Sequence, residues 1–145
     1  MNPPIRQLDL LLTLRRRDGE KLETELAAKR RLQERYRRNI ERLEQLNTAS
    51  GATAAAGHPA LAMNCAGYKS HLAGLKQTQQ QDLRLAEADA EVSRGRLEAA
   101  RRREEQVRQL REALALDWRH QMQRAEQKRT DETAGQAWRR GRGAW

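Results

Sequence analysis

The sequence contains no Phe, and aromatic residues make up only 3% of it. Thick globular cores are filled by large side chains arriving from several directions, so this scarcity excludes such a core and points to thin seams between helices. The single cysteine, Cys65, excludes an internal disulfide, and no paired Cys and His spacing suits a structural zinc. The three histidines, His58, His71 and His120, are spread too widely to converge on a metal or a catalytic triad. Leu8 to Leu14 is the most leucine-rich stretch, far short of the about 20 apolar residues that cross a bilayer. Met1 to Arg6 lacks the basic segment and apolar run of a secretory signal. These absences lead us to expect a reducing, cytoplasmic setting, with peripheral membrane association left open. The phosphate-cradling patterns G-x-x-x-x-G-K and G-x-G-x-x-G are also missing. A slender helical chain offers no water-excluding pocket, so we expect no enzyme, cofactor, metal or small-molecule substrate.

What the sequence does have is charge. Charged residues reach 34%, and 29 Lys and Arg against 20 Asp and Glu give a net charge of +9. Such a surface attracts acidic proteins, nucleic acid or anionic lipid without choosing among them. The acidic residues are scattered among the basic ones, as on the solvated face of a coiled coil. The clusters Lys29-Arg30-Arg31, Arg101-Arg102-Arg103 and Arg139-Arg140 could meet phosphates. No basic region precedes a parallel zipper and no aromatic pair sits on a strand, so specific nucleic-acid recognition is not expected.

The apolar residues recur at helical spacing in two blocks separated by a small, uncharged stretch. Alternating steps of three and four from Ile5 pass through Leu8, Leu12, Arg15, Gly19, Leu22, Leu26, Lys29, Gln33, Tyr36, Ile40, Leu43 and Asn47. Polar interruptions weaken such a seam but help to fix its register. Gly51, Gly57 and Pro59 punctuate the small-residue stretch and mark a chain reversal. The second block has candidate seam residues at Tyr68, Leu72 and Leu75, then Ala86, Ala90, Leu97 and Ala100, then Val107, Leu110, Leu114, Trp118 and Met122. The expected fold is all-α, an antiparallel two-helix coiled-coil hairpin with a longer second helix. Its expected layout is one coiled-coil domain over 1–145, with helix one at 3–48, a turn at 49–63, helix two at 64–138 and a basic, frayed tail at 139–145.

The two helices are unequal, at about 65 Å and 110 Å for a rise of about 1.5 Å per residue. The last third of helix two, from about Leu110 to Trp138, is therefore expected to overhang. Leu114, Trp118 and Met122 form an apolar stripe there and are candidate partner-binding residues. From the residues alone the alternatives are that helix one slides up to cover that stripe, or that a second copy covers it in a homodimeric spacer.

Three segments resemble the bacterial flagellar export protein FliJ family and its injectisome counterparts in type III secretion. Leu8-Asp9-Leu10-Leu11-Leu12-Thr13-Leu14-Arg15-Arg16-Arg17 is similar to the family's leucine-rich opening. Tyr68-Lys69-Ser70-His71-Leu72-Ala73-Gly74-Leu75, followed by Gln79-Gln80-Gln81, is similar to its Tyr-x-x-Phe-Leu-x-x-Leu and Gln-rich run, with His71 in the place of Phe. Glu126-Gln127-Lys128-Arg129-Thr130-Asp131-Glu132 matches its Glu-Gln-Lys-x-x-Asp-Glu closing signature.

The resemblance implies a component of the flagellar export apparatus, a central stalk in the hexameric export ATPase that links it to the cytoplasmic domain of the membrane export gate. It further implies binding of export chaperones and a place at the cytoplasmic face of the inner membrane. It marks Gln127, Lys128, Asp131 and Glu132 as partner-binding residues beside Leu114, Trp118 and Met122. An injectisome stalk of the same architecture and a basic coiled-coil nucleic-acid-associated protein are the alternatives. From the residues alone, the charged set also suits a solvated helix end with i to i+4 pairs such as Lys128 with Glu132.

Overall fold

A computed structural model describes residues 3–54 and 57–143, the side chains of 52–54 excepted. Two helices account for nearly all of this, α1 (Pro3–Ala54) and α2 (Pro59–Arg142), and the described residues contain no strand. The fold class is all-α, with the second helix the longer, as the sequence periodicity indicated. Proline suits the first turn of a helix because its missing N–H has no intrahelical partner there, and both helices open on one.

The helix ends differ from the sequence expectation. α1 runs past residue 48 to Ala54, and the Thr48 and Ser50 hydroxyls are satisfied within it, Thr48 Oγ1 donating to Glu44 O at 3.0 Å and Ser50 Oγ to Leu46 O at 3.0 Å. Where a turn was expected over 49–63, α1 is helical to Ala54 and α2 is helical from Pro59; residues 55 and 56 of that stretch lie outside the described residues. Gly57 has φ 83°, a left-handed conformation open to glycine, and the Ala62 N–H donates to His58 O at 2.9 Å as the next helix starts. α2 thus begins at Pro59 rather than 64 and continues past 138 to Arg142. Arg139, Arg140 and Arg142 in its last turn complement the negative end of the helix dipole, so a segment expected to fray is helical through Arg142. Residues 144 and 145 of the expected tail lie outside the described residues.

Packing separates the chain into two compact units, one of residues 1–18 with 100–145 and one of residues 19–99. In the second, α1 and α2 lie antiparallel. Lys29 reaches Asp89, Gln33 reaches Ala86, Asn39 reaches Gln79 and Glu44 meets Lys76, so partners descend along α2 as α1 ascends. Leu26, Leu72, Ala86 and Ala90 form its buried apolar residues. Alanines at the seam let the backbones approach, and Leu26 then has something to pack against at short range.

Ser93 is 1% exposed and accepts a hydrogen bond from Lys29 Nζ at 2.5 Å, while the same ammonium meets Asp89 at 3.1 Å. A lysine in a seam position is thereby satisfied and fixes one alignment of the two helices. Gln33 Nε2 donates to the Ala86 carbonyl at 3.3 Å, and Asn39 Nδ2 to Gln79 Oε1 at 3.2 Å, which adds two further alignment marks.

In the other unit, residues 3–18 of α1 run antiparallel to α2. Asp9 pairs with Arg111 at 2.9 Å and Arg16 with Glu104 at 3.4 Å. Ile5 is buried at the seam. Leu8, Leu12 and Arg15 follow it at intermediate exposure.

On α1 the expected seam holds except at Asn47, which is exposed. On α2 the phase differs in places, because Tyr68, Leu75 and Leu110 are exposed. The sheltered positions step instead through Cys65, Lys69, Leu72, Lys76, Gln79 and Leu83, and farther on through Ser93, Glu104, Val107, Arg111 and Leu114. Long polar side chains occupy many of these places, their aliphatic stems covering the seam while their heads reach solvent or a partner. Reading only the apolar residues therefore slipped off the true line.

Candidate functional site

The clearest departure from a paired coiled coil lies at the end of α2. Arg111 is half-buried and held by Asp9, and Leu114 and Ala115 are half-buried beyond it. From Leu116 to Gly143 every residue is exposed except Gly135. In the register set by Asp9 with Arg111, Pro3 falls level with Asp117, so α2 has no α1 residue beside it farther on. The bare stretch starts at Leu116, later than the expected Leu110, because Arg111 and Leu114 are still covered.

The seam phase carries on along the bare stretch but changes character. After Leu114 it meets Trp118, 39% exposed, and then Gln121, Ala125, Lys128, Glu132, Gly135, Arg139 and Arg142. Beyond Trp118 no large apolar side chain stands on this line. A second helix laid along 121–142 would have little to bury, which weighs against a spacer held together by that segment.

The residues singled out from sequence fall on this part of α2. Leu114 is half-buried, whereas Trp118 and Met122 are exposed one and two turns farther on. At 3.6 residues per turn Lys128 and Glu132 return to the Leu114 line, while Gln127 lies on the opposite side and Asp131 on the flank. Gln127, Lys128, Asp131 and Glu132 are all exposed, and Lys128 and Glu132 form no ion pair among the described residues. The structure therefore gathers Leu114, Lys128 and Glu132 along one edge and sets Gln127 apart from them.

Sequence reading missed the polar group next to this stretch. Glu104 is 9% exposed and accepts hydrogen bonds from Arg101 at 2.7 Å and Arg16 at 3.4 Å. The Arg101 hydrogen bond is the main cause holding its carboxyl below the ordinary range, and Arg16 adds to it, while burial acts in the opposite direction. Arg15 lies in the same unit with a buried Nε that has no hydrogen-bond partner among the described residues. The only sequence signal for Glu104 was its place in the three-four stepping, and an apolar filter discards it.

The second resemblance segment can also be placed. Leu72 is buried at 4% exposure, whereas His71 beside it is exposed. The His in the place of Phe therefore lies on the exposed side of α2 beside the buried Leu72.

The described residues contain no group of three or more His, Cys, Asp or Glu placed to hold a metal. No described helix is long and apolar enough to cross a membrane. The surface hollows are open troughs, one of them lined by Arg31, Glu34, Arg35 and Arg38.

The flagellar FliJ protein family model matches residues 4–143, nearly the whole chain. No curated protein and no solved structure matches it. The family match takes in both helices, the exposed end of α2 and all three segments on which the resemblance rests, and it gives the two-helix architecture a biological setting. The chain belongs to the flagellar FliJ family, and its role lies in flagellar protein export.

Proposed function

We propose that this protein is a central stalk of the hexameric export ATPase, that it links the ATPase to the cytoplasmic domain of the membrane export gate, and that it escorts export chaperones. The observation that carries the reading is the stretch of α2 from Trp118 to Arg142, which continues past the start of α1 with every residue but Gly135 exposed among the described residues. Its support is the family match together with the antiparallel pairing that precedes it. A stalk acts by contact rather than by chemistry, and the reading assigns no catalytic residue, cofactor or metal to this chain.

Trp118 and Met122 would supply most of the apolar contact, with the uncovered part of half-buried Leu114 at its edge, since Trp is enriched among the residues that carry binding energy. Gln127, Lys128, Asp131 and Glu132 would supply the polar contacts beyond it. Charged contacts of this kind raise the rate of encounter more than the affinity, which suits a part that must turn or be released.

The test is stimulation of the purified export ATPase by the full chain and by a chain ending at Ala115. That cut keeps the Asp9 and Arg111 pair and half-buried Leu114, so the paired part stays intact. Stimulation should be lost while helicity per residue is retained. Equal stimulation by the shortened chain would contradict the proposal.

A further inference from the structure

The last carboxylate side chain of the sequence is Glu132, and the eight positions that follow it to Arg140 include two arginines, with a third at Arg142. Arg139, Arg140 and Arg142 share the last turn of α2. None of the three has a carboxylate partner among the described residues, and all are exposed. Trp138 stands in the same turn at 61% exposure, with the Arg142 guanidinium 4.3 Å from its ring centre. The Trp138 ring thus stands largely bare, with one guanidinium over its face and two more cations in the same turn.

We propose that this tip of α2, residues 136–142, is a contact for anionic lipid, in which Arg139, Arg140 and Arg142 meet headgroup phosphates and the Trp138 ring settles at the membrane–water interface. Trp is favoured at that boundary because its apolar body and polar N–H are both satisfied there. The neighbouring guanidiniums match phosphate geometry and are readily drawn to a negative leaflet. An anionic bilayer is favoured over a nucleic-acid duplex because three cations on one turn give a weak phosphate contact at physiological salt, whereas the Trp adds a second, apolar anchor. The contact is peripheral and reversible, consistent with the absence of a membrane-crossing helix among the described residues. It concerns this chain by itself and stands or falls separately from the stalk reading.

The experiment is flotation of the full chain with vesicles of neutral phosphatidylcholine, with and without phosphatidylglycerol, in about 0.15 M salt, where the Debye length is about 8 Å. Wild type should float with the anionic vesicles and stay behind with the neutral ones. Each arginine near an anionic surface contributes roughly five-fold, so the triple variant R139Q/R140Q/R142Q should lose about 100-fold in vesicle affinity. The control R119Q/R124Q removes charge more than about 20 Å along the same helix and should change affinity by less than two-fold. W138A keeps the charge and should lose several-fold. Equal binding to neutral vesicles, equal losses in the tip and control variants, or unchanged binding by W138A would each overturn the inference. So would a stronger association with duplex DNA than with anionic vesicles at that salt. All these substitutions are at exposed positions, and unchanged helicity by circular dichroism keeps a loss attributable to the contact.

Discussion

At the scale of single residues, stability rests on a few sheltered side chains in a narrow seam. Leu26 and Leu72 are 5% and 4% exposed, whereas Leu10 is 64% exposed. Leu26→Ala and Leu72→Ala should each destabilise by about 2 to 3 kcal/mol, the low end for such truncations because a two-helix seam can partly close over the gap. Leu10→Ala should change stability by less than about 0.5 kcal/mol, and urea unfolding followed by helicity distinguishes the two classes. The Glu104 carboxyl, held low by Arg101 and then Arg16, makes a pH-dependent contribution. Because its folded value lies below the ordinary 4.5, that contribution is present above about pH 4.5 and is lost as pH falls through the lower folded value. Glu104→Gln should therefore destabilise by about 1 kcal/mol or less at neutral pH, since both arginines are partly solvated. The gap from wild type should close in strong acid. A gap that stayed constant down to pH 2 would count against this account.

At the scale of elements, the glycines give opposite expectations. Gly95 lies inside α2 and an added Cβ there would meet nothing within 4 Å. Gly95→Ala should raise the thermal midpoint, since Ala in a helix interior is favoured by about 1 kcal/mol. Gly57 sits at positive φ between the helices, and Gly57→Ala should lower stability by about 1 kcal/mol through left-handed strain.

The two long helices and their reversal were legible because a three-four apolar rhythm and a small, uncharged break are strong signals in a single sequence. The helix ends were not, because Thr48 and Ser50 read as turn formers, yet their hydroxyls bond to carbonyls inside the helix and leave it unbroken, which composition alone does not show. Nor was the α2 seam fully legible. Its line runs through Lys69, Lys76, Gln79 and Glu104, side chains that a search for apolar residues passes over. The uncovered end of α2 was legible as a region, since Trp118 and Met122 are exposed, but its edge lay one turn or more beyond Leu110 because Arg111 finds Asp9.

At the scale of the whole molecule, charge is unevenly shared. The stretches 1–18 and 100–145 hold 16 Lys and Arg against 9 Asp and Glu, a net of +7, while 19–99 holds 13 against 11, a net of +2. The excess sits with the unit that contains the bare end of α2. Association with an acidic partner should accordingly be fast at low salt and should slow as salt rises, read as a fall in association rate with little change in dissociation rate. The most direct measurement of the proposed role places a photo-crosslinking residue at Trp118 on bare α2, or at Leu85, which is exposed at 70% in residues 19–99, and mixes each chain with the export ATPase hexamer. Crosslinks from position 118 and few or none from position 85 are the predicted result. Equal yields from the two positions, or crosslinks from position 85 alone, would contradict it.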